Sequence, residues 1–225
     1  MKYHHGNLRV ELVKCAENLC KKHGYEKLSL RAIAKEANVS QTAPYRHFKT
    51  KNDLLAEVAK SGFNELKSGI DDILRESDNK KLSQSTLMKC MFHYMHFASS
   101  QKNIYDIMFG TVLSDFALYP ELSDAADQTF TSLNEILRRY KNYDESELRS
   151  RSIKIWAFLH GMVGLNQIEQ SRSKQIKQTR AVSNLREAKS LIKQINCSVS
   201  LLNVFDLDKL YDYNWKNFGI ETTFM

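Results

Sequence analysis

The sequence has few residues that interrupt helices, with only 2 prolines and 8 glycines among 225 residues. So few breakers favour helices over a fold of strands and turns. The chain also lacks an apolar run long enough to span a bilayer, and no apolar run follows residues 1–6. We therefore predict an all-α protein without a signal peptide or membrane span, long enough for one large domain or two small ones.

The four cysteines form no C-x-x-C pair, because Cys15, Cys20, Cys90 and Cys197 are scattered along the chain. This spacing does not resemble a disulfide framework. It is typical of packed thiols in a reducing compartment. We predict a cytoplasmic protein.

Sequence motifs of common enzymes are missing as well. There is no glycine-rich phosphate loop, no G-x-S-x-G and no H-E-x-x-H. His93 and His96 are three residues apart and could share a metal ion, but no second Cys or His pair has a matching spacing. We expect no enzyme activity, no cofactor and no metal; turnover of a bound small molecule would revive the enzyme interpretation.

Positive charge is concentrated at the N-terminal end. Residues 1–60 hold 12 Lys or Arg against 6 Asp or Glu, whereas the remaining residues hold 21 against 20. A basic module on a neutral body is typical of proteins that bind polyanions. A solvated lysine-rich surface is the alternative that charge alone does not exclude.

The basic module reads as short helices separated by turns. An apolar stripe that starts at Leu8 predicts the first helix. This helix ends at Gly24, which can adopt a left-handed backbone. Ser29 can cap a second helix, and Asn38 tolerates the sharp turn that follows it. Ser40 is expected to cap a third helix over residues 41–47, whose first turn contains a proline.

A fourth helix begins where Thr50 and Asp53 have the spacing of a capping box. The apolar pattern predicts further helices at 82–99, 104–109, 113–118, 122–140 and 148–168. The polar stretch 169–180 is expected to be a linker or exposed turn. A last stripe covers 182–195, and a short helix is expected near 206–215.

Two helices joined by a tight turn let the first brace the DNA backbone while the second lies in the major groove. The segments that carry this pattern are Gly24-Tyr25, 28–34, 37–40, 45–48, Lys51 and Leu54-Leu55. In order and spacing they resemble the TetR family of transcriptional regulators over roughly residues 7–58. Asn38 stands where that family usually has glycine, and Pro44 where an aliphatic residue is more usual.

A second resemblance lies in the segment Trp156-Ala157-Phe158-Leu159-His160-Gly161. It is similar to the Trp-His-Gly signature of one TetR C-terminal subgroup. Residues 3–8 and 43–48 are also similar to that subgroup. Beyond about residue 170 no family pattern is recognisable.

The resemblance implies a homodimer whose two recognition helices meet a palindromic operator in double-stranded DNA. Gln41 and Thr42 are expected to face base edges, Ala43 to supply an apolar contact, and Arg31 to contact backbone or base. Tyr45 and His47 are expected to reach phosphate, and Lys51 to hold a phosphate at the N-terminus of the fourth helix. The complete predicted DNA-binding set is Arg31, Ser40, Gln41, Thr42, Ala43, Tyr45, Arg46, His47 and Lys51. As alternatives, Tyr45 and Phe48 could merely pack the small core, which we prefer for Phe48. Arg46 and Lys49 could be solvated charges.

The middle of the chain is rich in methionine and aromatic residues, which suit an adaptable pocket for a hydrophobic ligand. Residues at this spacing can equally form an ordinary core. His160 could either make a structural hydrogen bond or supply a polar contact to a ligand in a pocket. The candidate pocket residues are Met91, Phe92, Met95, His96, Tyr105, Met108, Phe109, Trp156 and His160.

Together these features predict a helix-turn-helix DNA-binding domain of three helices in residues 1–50. Residues 51–225 would form a helical domain for effector binding and dimerisation. The stripes at 148–168 and 182–195 could form a four-helix bundle between two copies, or merely close the core of one copy. We expect a repressor released by a small hydrophobic effector. The alternative is a DNA-binding scaffold that recruits a protein partner without a ligand.

Overall fold

The computed structural model describes residues 8–77, 81–113 and 115–176, and side chains as far as residue 168. Every regular element in those ranges is a helix, so the all-α prediction is confirmed. Three short 3-10 helices occur at Pro44–Arg46, Thr111–Leu113 and Phe116–Leu118. The α-helices are α1 (Leu8–His23), α2 (Leu30–Glu36), α3 (Lys51–Arg75), α4 (Gln84–Ser100), α5 (Lys102–Phe109), α6 (Pro120–Tyr140) and α7 (Glu145–Ile176).

The chain forms two compact units. Among the described residues, unit 1 contains 8–76 and those of 96–133, and unit 2 contains those of 77–95 and 134–176. The division therefore falls within α4 and within α6. The domain boundary expected at residue 50 separates a DNA-binding domain from the rest of the chain. The division into compact units does not test it, so it stays a prediction.

Helix α1 begins unit 1 and ends as its sequence indicates. Leu12, Ala16 and Cys20 form its buried face at three- and four-residue steps. Gly24 follows the last helical residue with a φ of 80°, and its N–H donates to the carbonyl of Cys20 at 2.8 Å. A residue with a side chain would be strained in that backbone conformation, so glycine permits this helix end.

Helix α2 has a defined cap at each end. The hydroxyl of Ser29 accepts a hydrogen bond of 3.1 Å from the N–H of Ala32. Asn38 has a φ of 53° after the helix, and the N–H of Val39 donates to the carbonyl of Ala34 at 2.9 Å. This bond pattern is a Schellman motif, which stops the helix and turns the chain.

The predicted helix over residues 41–47 is wrong in type and extent. Residues 41 and 42 form a turn, and only Pro44–Arg46 is helical, as a 3-10 helix. Pro44 has no N–H to donate to the carbonyl of Ser40, which instead accepts from Ala43 at 3.0 Å. Ser40 also does not cap it, because Ala43 occupies the capping position and makes no side-chain bond.

Helix α3 begins with the predicted capping box. The N–H of Asp53 donates to the hydroxyl of Thr50 at 3.1 Å, and the N–H of Thr50 donates to the Asp53 carboxylate at 2.8 Å. The buried face of α3 forms much of the core of unit 1. Its members are Leu54, Leu55, Ala56, Val58, Ala59, Gly62, Phe63, Leu66 and Ile70.

Two further expectations need correction. The predicted helix at 113–118 is replaced by the two 3-10 helices at Thr111–Leu113 and Phe116–Leu118. The predicted linker at 169–180 is helical as far as Ile176, because α7 continues through it. The stripe at 182–195 and the short helix at 206–215 lie outside the described residues.

The described cysteines are free thiols. Burial raises the pKa of Cys20 and of Cys90 to about 11, so both are uncharged at neutral pH. Within the described part of the chain, no helix has the length and apolar character that crossing a membrane requires.

Candidate nucleic-acid interface

The segment from Ser40 to Phe48 presents most of the predicted DNA-binding side chains at the surface. Tyr45 is 51% exposed, whereas Phe48 is only 2% exposed and Pro44 is buried. The two buried residues anchor the segment, and its polar side chains are exposed. The expectation that Phe48 packs in the core is confirmed. The exposed members of the predicted set are Arg31, Ser40, Gln41, Thr42, Tyr45, Arg46 and His47, while Ala43 and Lys51 are half-buried.

The start of this segment is held by short-range polar contacts. The hydroxyl oxygens of Ser40 and Thr42 lie 3.2 Å apart, so one donates to the other. The left-handed turn at Asn38 directs the chain into this segment. Gln41 and Thr42 are therefore exposed at the first turn after α2, a position suited to contact with base edges.

Lys51 lies in the first turn of α3, next to its cap. Its Nζ donates a hydrogen bond of 3.2 Å to the backbone carbonyl of Glu26. This bond connects the first turn of α3 to the loop between α1 and α2. An ammonium group at a helix N-terminus can join the free backbone amides in binding a phosphate, as the resemblance implies.

Cations extend beyond the predicted set. Lys27 and Lys35 flank Arg31 at four-residue steps, and all three side chains are exposed. Lys49 adds another exposed cation directly after Phe48. Such a surface suits a polyanion, because each cation that neutralises a phosphate releases a condensed counterion.

Two residues outside the predicted set, Arg9 and Glu57, form a contact between α1 and α3 beside Phe48. The guanidinium carbon of Arg9 lies 5.2 Å from the ring centroid of Phe48. Arg9 Nη2 also donates to Glu57 Oε1 at 3.0 Å. The hydrogen bond to Glu57 is the main cause that raises the pKa of Arg9. The partners are 48 positions apart, so no local pattern predicts this contact.

The candidate pocket residues fall in both units, and each group is described separately. In unit 1 the rings of Tyr105 and Phe109 lie 4.7 Å apart, and Phe109 meets Phe63 edge-on at 5.2 Å. Met108 is 1% exposed and packs against α3, as a core residue does. His96, also in unit 1, is exposed.

In unit 2 the predicted residue His160 has two polar partners. Its Nδ1 lies 3.0 Å from the carbonyl oxygen of Trp156, and the Tyr94 hydroxyl lies 3.0 Å from Nδ1 and 3.3 Å from Nε2. A proton on Nδ1 satisfies this arrangement, because Nδ1–H then donates to the carbonyl and Nε2 accepts from Tyr94. Burial lowers the pKa of His160, so the ring is neutral at neutral pH.

The remaining candidates of unit 2 differ in exposure. Met91 and Met95 are buried, and Phe92 is half-buried. Trp156 is 39% exposed, and its ring meets that of His160 edge-on at 5.1 Å. In the described part of the chain, no three His, Cys, Asp or Glu side chains are grouped to hold a metal ion.

Two family models match the sequence. The model of bacterial regulatory proteins of the TetR family matches residues 12–58. The model of the tetracyclin repressor-like C-terminal domain matches residues 87–182. Together they span more than half of the chain.

Individual proteins are also similar to the chain. An HTH-type transcriptional regulator of Staphylococcus aureus is 27% identical over 160 residues, which cover 67% of this chain and 80% of that protein. A protein of unknown function from Rhodococcus sp. RHA1 superposes with a TM-score of 0.62 at 25% identity, covering 84% of this chain and 95% of its own. The regulator FadR from Bacillus subtilis, in complex with stearoyl-CoA, superposes with a TM-score of 0.56 and covers 72% of this chain and 88% of its own. At 17% identity, that likeness shows the fold alone.

Proposed function

We propose, for a chain that belongs to the TetR family of transcriptional regulators, that residues 40–47 read base edges in a palindromic operator. The observation that carries this proposal is the arrangement of the segment. Pro44 and Phe48 are buried, while Gln41, Thr42 and Tyr45 are exposed between a left-handed turn and the N-terminus of α3. Family membership also supports a regulator rather than an enzyme.

The residue roles follow from position and chemistry. The amide of Gln41 can bond adenine through two hydrogen bonds, and the methyl group of Thr42 can contact a thymine methyl. Tyr45 and His47 would donate to phosphates. Lys51 would bind a phosphate at the start of α3.

Salt dependence tests the phosphate contacts. DNA affinity should fall steeply with salt, and Lys51→Ala should reduce the slope of log K against log salt by about 1 per protomer. Lys67→Ala is the matched control, because Lys67 carries the same charge but pairs with Asp71 along α3. A flat salt response, or equal slopes for both variants, would count against the phosphate contacts.

We further propose that two copies bind the operator together, with the exposed apolar face of α7 between them. Ile153, Leu165 and Ile168 are each at least 50% exposed. A Cβ atom added at Gly161 or Gly164 would meet no described atom within 4 Å. Exposed apolar side chains beside open glycines favour close approach by a second helix.

Oligomeric state tests this interface. Leu165→Glu should convert the protein to a monomer in sedimentation experiments, because a self-complementary interface would bury the new charge twice. Val10→Glu makes the same kind of change at an exposed apolar position of α1, outside α7, and should leave the dimer intact. A wild-type protein that sediments as a monomer would contradict the proposal.

The effector is proposed as a small hydrophobic molecule, and the protein as a repressor that this molecule releases from DNA. Support comes from the buried methionines Met91 and Met95 and from the aromatic clusters of each unit. We also propose that the C-terminal domain belongs to the Trp-His-Gly subgroup, on the pattern of residues 156–161. Stearoyl-CoA, found in the FadR complex, is a practical first probe. A ligand that raises the melting temperature and releases DNA would support the proposal, whereas a screened panel that does neither would favour recruitment of a protein partner.

A further inference from the structure

A row of alternating charges joins three helices of unit 1. Beyond the bond between Arg9 on α1 and Glu57 on α3, Glu57 Oε2 lies 2.8 Å from Lys60 Nζ one turn along α3. Lys60 Nζ in turn donates to Glu121 Oε2 at 2.5 Å, in the first turn of α6. We call Arg9, Glu57, Lys60 and Glu121 the charge row.

One end of the charge row lies against the predicted DNA-binding segment. The Arg9 guanidinium is over the ring of Phe48, which directly follows His47 and is almost fully buried. Arg9 therefore contacts the buried residue that ends the segment carrying Tyr45 and His47. The other end of the row is the first turn of α6.

The two central members are shielded from solvent. The side chain of Glu57 is 15% exposed and that of Lys60 is 22% exposed. Burial alone would raise the pKa of Glu57, but hydrogen bonds from Arg9 and Lys60 hold it below its usual value. Burial would lower the pKa of Lys60, yet bonds to Glu121 and Glu57 raise it. Both groups are therefore charged at neutral pH, and salt screens such a pair less than an exposed one.

We propose that Glu57 and Lys60 are positioning residues for DNA recognition, which hold Arg9 against Phe48 and connect that contact to the first turn of α6 through Glu121. Movement of this turn away from Lys60 weakens the hold on Arg9 and lowers the affinity for the specific sequence. Binding to unrelated DNA changes little, because it depends on charge rather than on the register of side chains against bases. This inference rests on the proposed function.

A double-mutant cycle tests the connection. Operator affinity should fall about tenfold in Glu57→Gln and about threefold in Glu121→Gln, while the double variant should lose no more than Glu57→Gln alone. Each variant removes a negative charge, which by itself favours DNA binding, so a loss runs against the general electrostatic trend. Affinity for unrelated duplexes should stay the same or rise slightly.

Asp71→Asn is the matched control. It also removes one negative charge from α3, but the ion pair that Asp71 forms with Lys67 lies within this one helix. This variant should keep the wild-type ratio of specific to non-specific affinity. A drop in that ratio as large as in Glu57→Gln would overturn the positioning role.

Other outcomes are equally decisive. Additive losses in the cycle would mean that Glu121 acts separately from Glu57. That result would overturn this inference and leave the proposed function standing. Should Glu57→Gln fail to fold, Arg9→Lys keeps the charge but removes the guanidinium that lies over Phe48 and bonds Glu57. Its specific affinity should fall while non-specific affinity holds, and an unchanged ratio would overturn the inference. A wild-type protein that binds no duplex would overturn the proposed function and this inference together.

Discussion

A Cβ atom placed on Gly62 would lie 2.6 Å from the sulfur of Met108 and 2.8 Å from Cγ2 of Ile104. Helix α5 therefore packs directly against the backbone of α3 at this point. Near the start of α5, the Asn103 amide donates to the carbonyl of Lys21 at 3.1 Å, near the end of α1. Helix α5 is thus held by both α1 and α3 within unit 1.

Gly62→Ala should destabilise the protein by about 1–3 kcal/mol, because the added methyl group overpacks the contact. Helix propensity alone would favour alanine by about 1 kcal/mol, so the sign of the change separates the two effects. Chemical denaturation measures it. Combining Gly62→Ala with Met108→Ala should cost less than the sum of the single changes, and strict additivity would contradict the packing described.

Local signals in the sequence predicted the caps of unit 1. These caps involve Gly24, Ser29 and the pair Thr50 and Asp53, whose hydrogen-bond partners are at most four residues away. They can therefore be predicted from local sequence without tertiary structure. Asn38 is similar, since its tolerance of a left-handed backbone is a property of the residue itself.

The incorrect or missing predictions also have physical reasons. Residues 169–175 are polar, yet Lys, Arg, Gln and Glu have high helix propensity and no glycine or proline interrupts this stretch, so α7 continues to Ile176. At Pro44 the prediction placed the proline in the first turn of an α-helix and did not anticipate the change to 3-10 bonding around it. The contact between Arg9 and Glu57 depends on how α1 packs against α3, which no local spacing reports.

Asn38→Val should destabilise the protein by about 1–2 kcal/mol, because a β-branched residue is strained at positive φ. Asn38→Gly should be much closer to wild type, since glycine adopts this conformation without strain. Urea titrations of both variants measure the difference. Equal stabilities would contradict a left-handed conformation at this position.

Ser29→Ala should cost about 1 kcal/mol of stability because it removes the cap of α2. Ser40→Ala is the matched control, since the Ser40 hydroxyl contacts Thr42 and caps no helix. Its unfolding free energy should stay within about 0.5 kcal/mol of wild type. Thermal or chemical unfolding measures both variants. Equal losses of stability would indicate that Ser40 caps a helix after all.

Acid should destabilise the protein partly through His160. Burial lowers the pKa of His160 in the folded chain, so the unfolded chain, with a histidine pKa of about 6.5, takes up the proton more readily. The stability that the neutral ring contributes is present above about pH 6.5 and is lost as pH falls towards the folded pKa. His160→Gln should therefore show a shallower decline of melting temperature over that window.

His96→Gln provides the comparison for this pH effect, because the His96 side chain is exposed. Its decline of melting temperature with acid should parallel that of the wild type. A His160→Gln variant that follows the wild-type curve would contradict a neutral, hydrogen-bonded ring between Tyr94 and the Trp156 carbonyl.

Selection of binding sites from a pool of random duplexes is the most direct measurement of the proposed recognition. The wild-type protein should enrich a palindromic sequence. Gln41→Ala should lose the base preference at one position of each half-site, while Lys51→Ala should keep the same sequence at lower affinity. A pool that remains random after repeated selection, or a Gln41→Ala variant that selects the wild-type sequence with unchanged affinity, would contradict the role assigned to residues 40–47.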